Sequence, residues 1–523
     1  MAKSSQPRRS RRNRVVTVAM GALAALVAPA GASAQAGPFS WPLGVYGDRQ
    51  FQRVVLPDAA CGNGTQFPIF FSPGPAQVNG KLNRRVVIWM PGGGSTSLLR
   101  DGSLSSPINS LAEVRSRLNA PTDPGGRRML FFDHAANDPY VGAAHWAVFP
   151  YCTQDFHSGR RTAHNAYDFT GVRALVREVE TAVRGGTNPG TLEQLFPGLD
   201  VSPQTGGPSY RVSRLTIRIV HRGAHNFAAG MGRLTSLLAE RGVDLARADV
   251  TVAGSSAGGF GAWYNARRLG DLLWTNRNEK ERGHRLARLT IVPMSGSPTE
   301  RVWDDGSGDI AVDADQVAGL DHRLSFHGVE RPCAVAGGTY QPSPDVSCDD
   351  TLDLIRHYMA RWRGLNLRIA PVINKEDLLG VRGFAGSPGQ PGYAQRLVTF
   401  CKTVHRYIEH SASINRRVTP WGGWMWQNSP TPTDPDRPSP VHGFEFGTGI
   451  VPMLAPQPGS VWNPTLLEWI NAVADRDRRL RSTSYRLETR IGLVENTFDP
   501  GTGIAPYAPP DGVTLAQRAA CNV

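Results

Sequence analysis

Cysteine is scarce in this chain. Six residues, Cys61, Cys152, Cys333, Cys348, Cys401 and Cys521, are spread over 523 positions. No two of them stand in C-x-x-C spacing, and H-E-x-x-H does not occur, which argues against a zinc site. The aspartates between 304 and 315 lack EF-hand spacing and read as a solvated loop. There is no basic stripe with interleaved aromatics, so nucleic acid is not an expected partner. Internal repeats and long low-complexity linkers are missing too. No apolar run is convincing as a membrane span; the one near the N-terminus is short and rich in Ala and Gly.

That N-terminal stretch has another explanation. Residues 1–14, MAKSSQPRRSRRNR, hold one Lys, five Arg and no acid. VVTVAMGALAALVAPAGASA follows, and Ala32-Ser33-Ala34 has the A-x-A form of a signal-peptidase site. The expectation is a bacterial-type secretory signal over 1–34, cleaved after Ala34, and a secreted or periplasmic protein with no stable membrane span. Arg11-Arg12 suggests a twin-arginine signal, but the residues after it fit that signal poorly. The formal net charge is +13. Six of those charges lie in residues 1–14, so the remainder carries a mild +7. An even cysteine count in an exported chain suggests disulfides, with fifteen pairings if all six take part. Cys333 and Cys348 are close in sequence and flank a Gly/Pro-rich loop, and are the preferred pair.

What is present is a regular alternation. RRVVIWM (84–90), RRMLFFDH (127–134), RLTIRIV (214–220), DVTVAG (249–254), RLTIVP (288–293) and LNLRIAPVIN (365–374) read as strands. Between the third and fourth, Phe227, Met231, Leu234 and Leu238 fall on one helical stripe, with Gly242 as its C-cap. A second helix begins near Gly259. Strands alternating with helices predict a mainly parallel sheet covered on both faces. One large α/β domain over 35–523 is expected, with Pro/Gly/Asp-rich insertions near 300–360 and 420–460.

One junction in this series carries chemistry. Gly254-Ser255-Ser256-Ala257-Gly258 is G-x-S-x-G between a strand and a helix, the context of a nucleophile elbow. Ser256 is the candidate nucleophile, and the N–H of Ala257 is a candidate oxyanion donor. Pro91-Gly92-Gly93-Gly94-Ser95 follows an earlier strand. There Gly93 shapes the turn, and Gly94 and Ser95 are the other candidate donors. No Lys follows in Walker spacing, so a phosphate loop is disfavoured.

Several segments together resemble the pectin acetylesterase family. They are FSWPLGVYGDRQFQRVVLPDAACGNGTQFPIFFSPG, VVIWMPGGGS, VFPYCTQDFHSGRRT, VHRGAHNFAAGM and VTVAGSSAGGFGA, in that order over about 41–270. The resemblance implies an α/β-hydrolase-like fold and a Ser-His-Asp esterase that needs no cofactor. Two positions depart from the family pattern. Ser95 stands where the family usually has Trp after its glycine run, and Met294-Ser295-Gly296 replaces a D-S-G segment. The acid should follow the nucleophile and the histidine should come last. Glu376 and Asp377 follow the 365–374 strand, and the resemblance favours Asp377 over Glu376, Asp304 and Asp305. Among the late histidines, His442 lies in the loop SPVHGFEFG and resembles the family's last-strand histidine. His405 and His410 sit in a helix-like stretch. His157 and Trp424, the latter in WGGWMWQ, are candidate pocket residues. The expected substrate is an acetylated polysaccharide such as pectin. A lipid or small-acyl carboxylesterase and a catalytically silent carbohydrate-binding protein remain as alternatives.

Overall fold

Runs of β-branched and aromatic residues with no polar alternation must be covered on both faces, and the structure builds its centre from them. This computed structural model describes residues 49–96, 108–123, 143–275 and 288–294 almost continuously. Short stretches at 39–41, 366–369, 372–374, 424–427 and 491–493 and a few isolated positions are described as well. In chain order the strands of the main sheet are β1 (Phe39–Trp41), β2 (Arg49–Ala60), β3 (Gln66–Ser72), β4 (Arg85–Met90) and β5 (His145–Val148). They continue with β6 (Asp249–Ser255), β7 (Arg288–Met294), β8 (Asn366–Ile369), β9 (Val372–Asn374), β10 (Trp424–Gln427) and β11 (Ile491–Leu493). Their spatial order is β1-β2-β3-β5-β4-β6-β7-β9-β10-β11, with β8 also on β7. β1, β2, β3 and β5 pair antiparallel in succession. Every pairing from β5 through β11 is parallel. This is the mainly parallel architecture expected from the alternation, in the α/β-hydrolase-like form that the family resemblance implied.

The central strands are buried nearly end to end: all seven residues of β6 and all but the first of β4 and β7. Helices α3 (Gly223–Ala239) and α4 (Ala257–Thr275) pack on this sheet. Phe227, Met231, Leu234 and Leu238 share one core with Ile88, Val252 and Trp263, so the predicted stripe faces the sheet. Past the end of α3, Gly242 takes a left-handed conformation (φ 72°). The following amide, of Val243, donates to Leu238 O at 2.9 Å. A second core lies beside the first. It joins Val114 and Leu118 of α1 (Leu111–Leu118) to Leu175 and Val179 of α2 (Arg173–Arg184) and to Ile217 and Ile219.

Ile217 and Ile219 mark a correction. The 214–220 segment forms a strand over Thr216–Val220, but it pairs antiparallel with His164–Asp168 in a separate ribbon, not in the main sheet. Arg218 on its outer face is exposed, which a strand inside a sheet covered on both faces would not tolerate. The 365–374 segment forms two short strands, β8 and β9, where one was expected; Pro371 between them has no N–H for a ladder. The stretch assigned to an insertion near 420–460 supplies β10 to the main sheet. Residues 127–134, and 300–357 within the other expected insertion, lie outside the described residues. Tyr358, near the end of that expected insertion, donates its hydroxyl to Trp263 O at 2.7 Å on α4. Among the described residues no helix is long and apolar enough to cross a membrane.

Candidate active site

The chain leaves β4 for β5 on one side and returns to β6 on the other. From β6 onward the connections run away from β5. The crevice at the carboxyl ends of β4 and β6 is therefore a topological switch point, where open α/β sheets bind ligands. Both chemical motifs of the sequence end up there. Pro91–Ser95 leaves β4, and Ser256 leaves β6.

Ser256 sits between the last residue of β6 and the first of α4, with φ 55°. Left-handed backbone is costly for a residue with a Cβ and persists only where its surroundings hold it. Here the Ser256 N–H donates to Met294 O at 2.9 Å, and Ser256 O accepts from Gly259 N at 2.9 Å. Met294, one of the family departures, is thus a buried residue whose carbonyl pins the elbow. A Cβ on Gly258 would collide with the Met90 carbonyl, and one on Gly254 with the Gly258 carbonyl. The two glycines of the motif are there because β4, β6 and α4 converge on one turn. Ala257, the predicted donor, is buried at the N-terminus of α4.

The glycine loop is held from the segment after β5. Gly94 takes φ 73°, and Ser95 and Thr96 are buried. Tyr151 donates its hydroxyl to Gly94 O at 2.6 Å. His157 Nε2–H donates to Pro91 O at 2.8 Å, and Thr96 N–H to Gln154 O at 3.2 Å. The holding segment is itself unusual. Gln154, Phe156 and His157 all take left-handed φ, from 55° to 57°. Buried Asp155 fixes it by accepting from Thr153 Oγ1 at 2.6 Å and from Gly223 N at 2.7 Å, the first residue of α3. His221 donates from Nδ1 to Thr153 O at 2.8 Å and accepts at Nε2 from the Tyr167 hydroxyl. The Cys61–Cys152 disulfide ties the segment to the turn between β2 and β3.

Burial sets the charge states here. It holds His157 and His221 down at about 4, so both are neutral near pH 7. It pushes Asp155 up to about 6, against the hydrogen bonds from Thr153 and Gly223. The histidines bind protons more readily when unfolded, so their stabilisation is present above about pH 6.5 and lost as pH falls towards 4. Asp155 has the opposite sign: the folded form takes its proton first, which offsets part of the loss between about 6 and 4. Each group corresponds to about 3 kcal/mol. With two histidines against one aspartate, unfolding free energy should drop by about 3 kcal/mol between pH 6.5 and 4. Urea titrations across that range would measure it. Constant stability would show that these side chains are not desolvated in solution.

Of the residues singled out from the sequence, Ser256, Gly94, Ser95 and Ala257 converge on the switch point. His157, a candidate pocket residue, is only 5% exposed. It stacks on Tyr151 with ring centroids 4.5 Å apart and holds the start of the glycine loop at Pro91 O. The backbone of Trp424 opens β10, in register with Val372. Asp377 and His442, their rivals Asp304, Asp305, Glu376, His405 and His410, and the preferred cysteine pair Cys333–Cys348 lie outside the described residues. The bridge that is described, Cys61–Cys152, joins cysteines 91 residues apart and has no signature in their spacing. Nor were Tyr151, Gln154, Asp155 or His221 given roles, although the first three stand in the Y-C-T-Q-D block that carried the family resemblance.

No family model matches the chain, and no curated protein matches it by sequence. Among solved structures it is similar to the Wnt deacylase Notum from Drosophila in two crystal forms. One shares 15% identity with a TM-score of 0.39, covering 72% of this chain and 84% of that one. The other shares 14% identity with a TM-score of 0.43, covering 82% and 94%.

Proposed function

We propose that the protein is a secreted serine esterase, exported with its signal removed after Ala34, that hydrolyses acyl esters and above all acetyl esters of a polysaccharide. The observation that carries this reading is the left-handed serine between a buried strand and a helix, beside a glycine loop at the switch point. Ser256 attacks the ester carbonyl while His442 takes its proton. Asp377 accepts the other imidazole N–H and stabilises the imidazolium. The N–H groups of Gly94, Ser95 and Ala257 hold the oxyanion. The imidazolium then protonates the departing alcohol, and water repeats the sequence on the acyl-enzyme to release the acid.

Two measurements test this. A fluorophosphonate probe should label the folded protein at a single serine, identified by peptide mass spectrometry as Ser256. Hydrolysis of p-nitrophenyl acetate should exceed that of the butyrate and octanoate esters, and acetate should be released from pectin or acetylated xylan. Preference for octanoate would move the substrate to lipids. Absence of both labelling and turnover in a folded protein would leave a carbohydrate-binding role.

A further inference from the structure

The Tyr151 hydroxyl meets the glycine loop at one atom, the carbonyl oxygen of Gly94, at 2.6 Å. In a trans peptide the carbonyl and the following N–H point in opposite directions, and none of the described peptides is cis. Fixing Gly94 O therefore fixes the Ser95 N–H, which is turned away from Tyr151. We propose that Tyr151 is a positioning residue that sets the direction of the Gly94–Ser95 peptide and so presents the Ser95 N–H to the oxyanion. This inference rests on the esterase reading above.

The need for such a residue follows from the loop. Three successive glycines, Gly92 to Gly94, leave the peptide planes free to rotate, because no Cβ excludes the alternatives. A donor preorganised towards developing charge lowers a barrier, whereas one that must first turn loses part of that gain. Tyr151 is built for the task at each of its contacts. Its oxygen also accepts from Phe156 N–H at 3.0 Å, which leaves its own proton directed at Gly94. Its ring stacks on His157 and lies so close to Gly93 that a Cβ there would sit 2.7 Å from Tyr151 Cδ1. It is 7% exposed, so water is poorly placed to replace the hydroxyl. Burial and the nearby Asp155 carboxylate push its pKa well above the usual phenol range, so it stays a donor at any working pH. The next residue, Cys152, is disulfide-bonded to Cys61, and that bond keeps the tyrosine from withdrawing.

Tyr151→Phe removes the donor and keeps the ring. It should lower kcat for p-nitrophenyl acetate about 10- to 100-fold with little change in KM, since the lost interaction acts on the transition state. Affinity for a trifluoromethyl ketone, which forms a tetrahedral adduct on the nucleophile, should fall by the same factor. A merely structural role would raise KM or lower the thermal midpoint without that parallel. Unchanged kcat and unchanged ketone affinity would overturn the proposal, as would a loss confined to KM. Ser256→Ala on the same ester separates the two readings. If it keeps the wild-type rate, the esterase reading fails and this inference falls with it. If it is inactive while Tyr151→Phe is normal, only the role of Tyr151 is lost.

Discussion

Ser256→Ala should bring kcat/KM for p-nitrophenyl acetate down by at least about 10⁴-fold, to the level the remaining donors and binding contacts sustain. The thermal midpoint should barely move. The main restraints on the elbow are backbone bonds, Ser256 N–H to Met294 O and Gly259 N–H to Ser256 O, and alanine keeps both. Ser256→Gly sharpens the test. It should be equally inactive, yet at least as stable as wild type, because glycine adopts φ near 55° without the steric cost of a Cβ, about 1 kcal/mol. Inactivation without destabilisation in both variants would separate chemistry from folding at this position. Retained activity in either would remove Ser256 as the nucleophile.

The second large effect belongs to the bridge. Cys61→Ser with Cys152→Ser should cost about 4–5 kcal/mol in unfolding free energy, the chain-entropy value for closing so long a loop. The two cysteines are 91 residues apart in sequence. Both are buried, Cys61 at 0% and Cys152 at 1% exposure. A reductant should therefore act slowly on the native protein and quickly in moderate denaturant. Urea midpoints for the double variant and for wild type, with and without dithiothreitol, would measure this. A change below about 1 kcal/mol would mean that the reduced unfolded chain already keeps these segments together.

Some of this molecule was legible in its sequence because the signals were local. Gly254, Ser256 and Gly258 with the strand before them and the helix after them specify an elbow within a dozen residues. The run at 84–90 and the glycines after it do the same for the opposing loop. The helical stripe from Phe227 to Leu238 is periodic enough to read without a fold. What escaped depends on distance. Nothing near Cys61 names Cys152 as its partner, 91 residues away, whereas closeness in sequence picks out only pairs such as Cys333 and Cys348, which lie outside the described residues. Tyr151 and Asp155 act through Gly94 and Gly223, contacts that only the folded chain creates. The 214–220 strand alternates as a half-buried strand should, but alternation does not say which sheet it joins. Trp424–Gln427 sits among Pro and Gly, which hid a short strand inside what reads as a loop.

The position of β4 has a consequence for how the chain reaches this state. β4 lies between β5 and β6, with Arg85 opposite Asp249 and Met90 opposite Gly254. One of its two edges is completed only when residues far along the chain have arrived. Pairing at such separation is slow, because loop closure precedes any reward. Until then VVIWM presents an apolar, β-branched and uncharged edge, the kind of segment that pairs with a neighbouring chain. Any fragment ending before β6 also lacks Ser256 and the partner strand that shapes the crevice. Assembly of the elbow and protection of the stickiest strand are therefore one event, late in folding, and conditions that delay it favour aggregation over an inactive monomer.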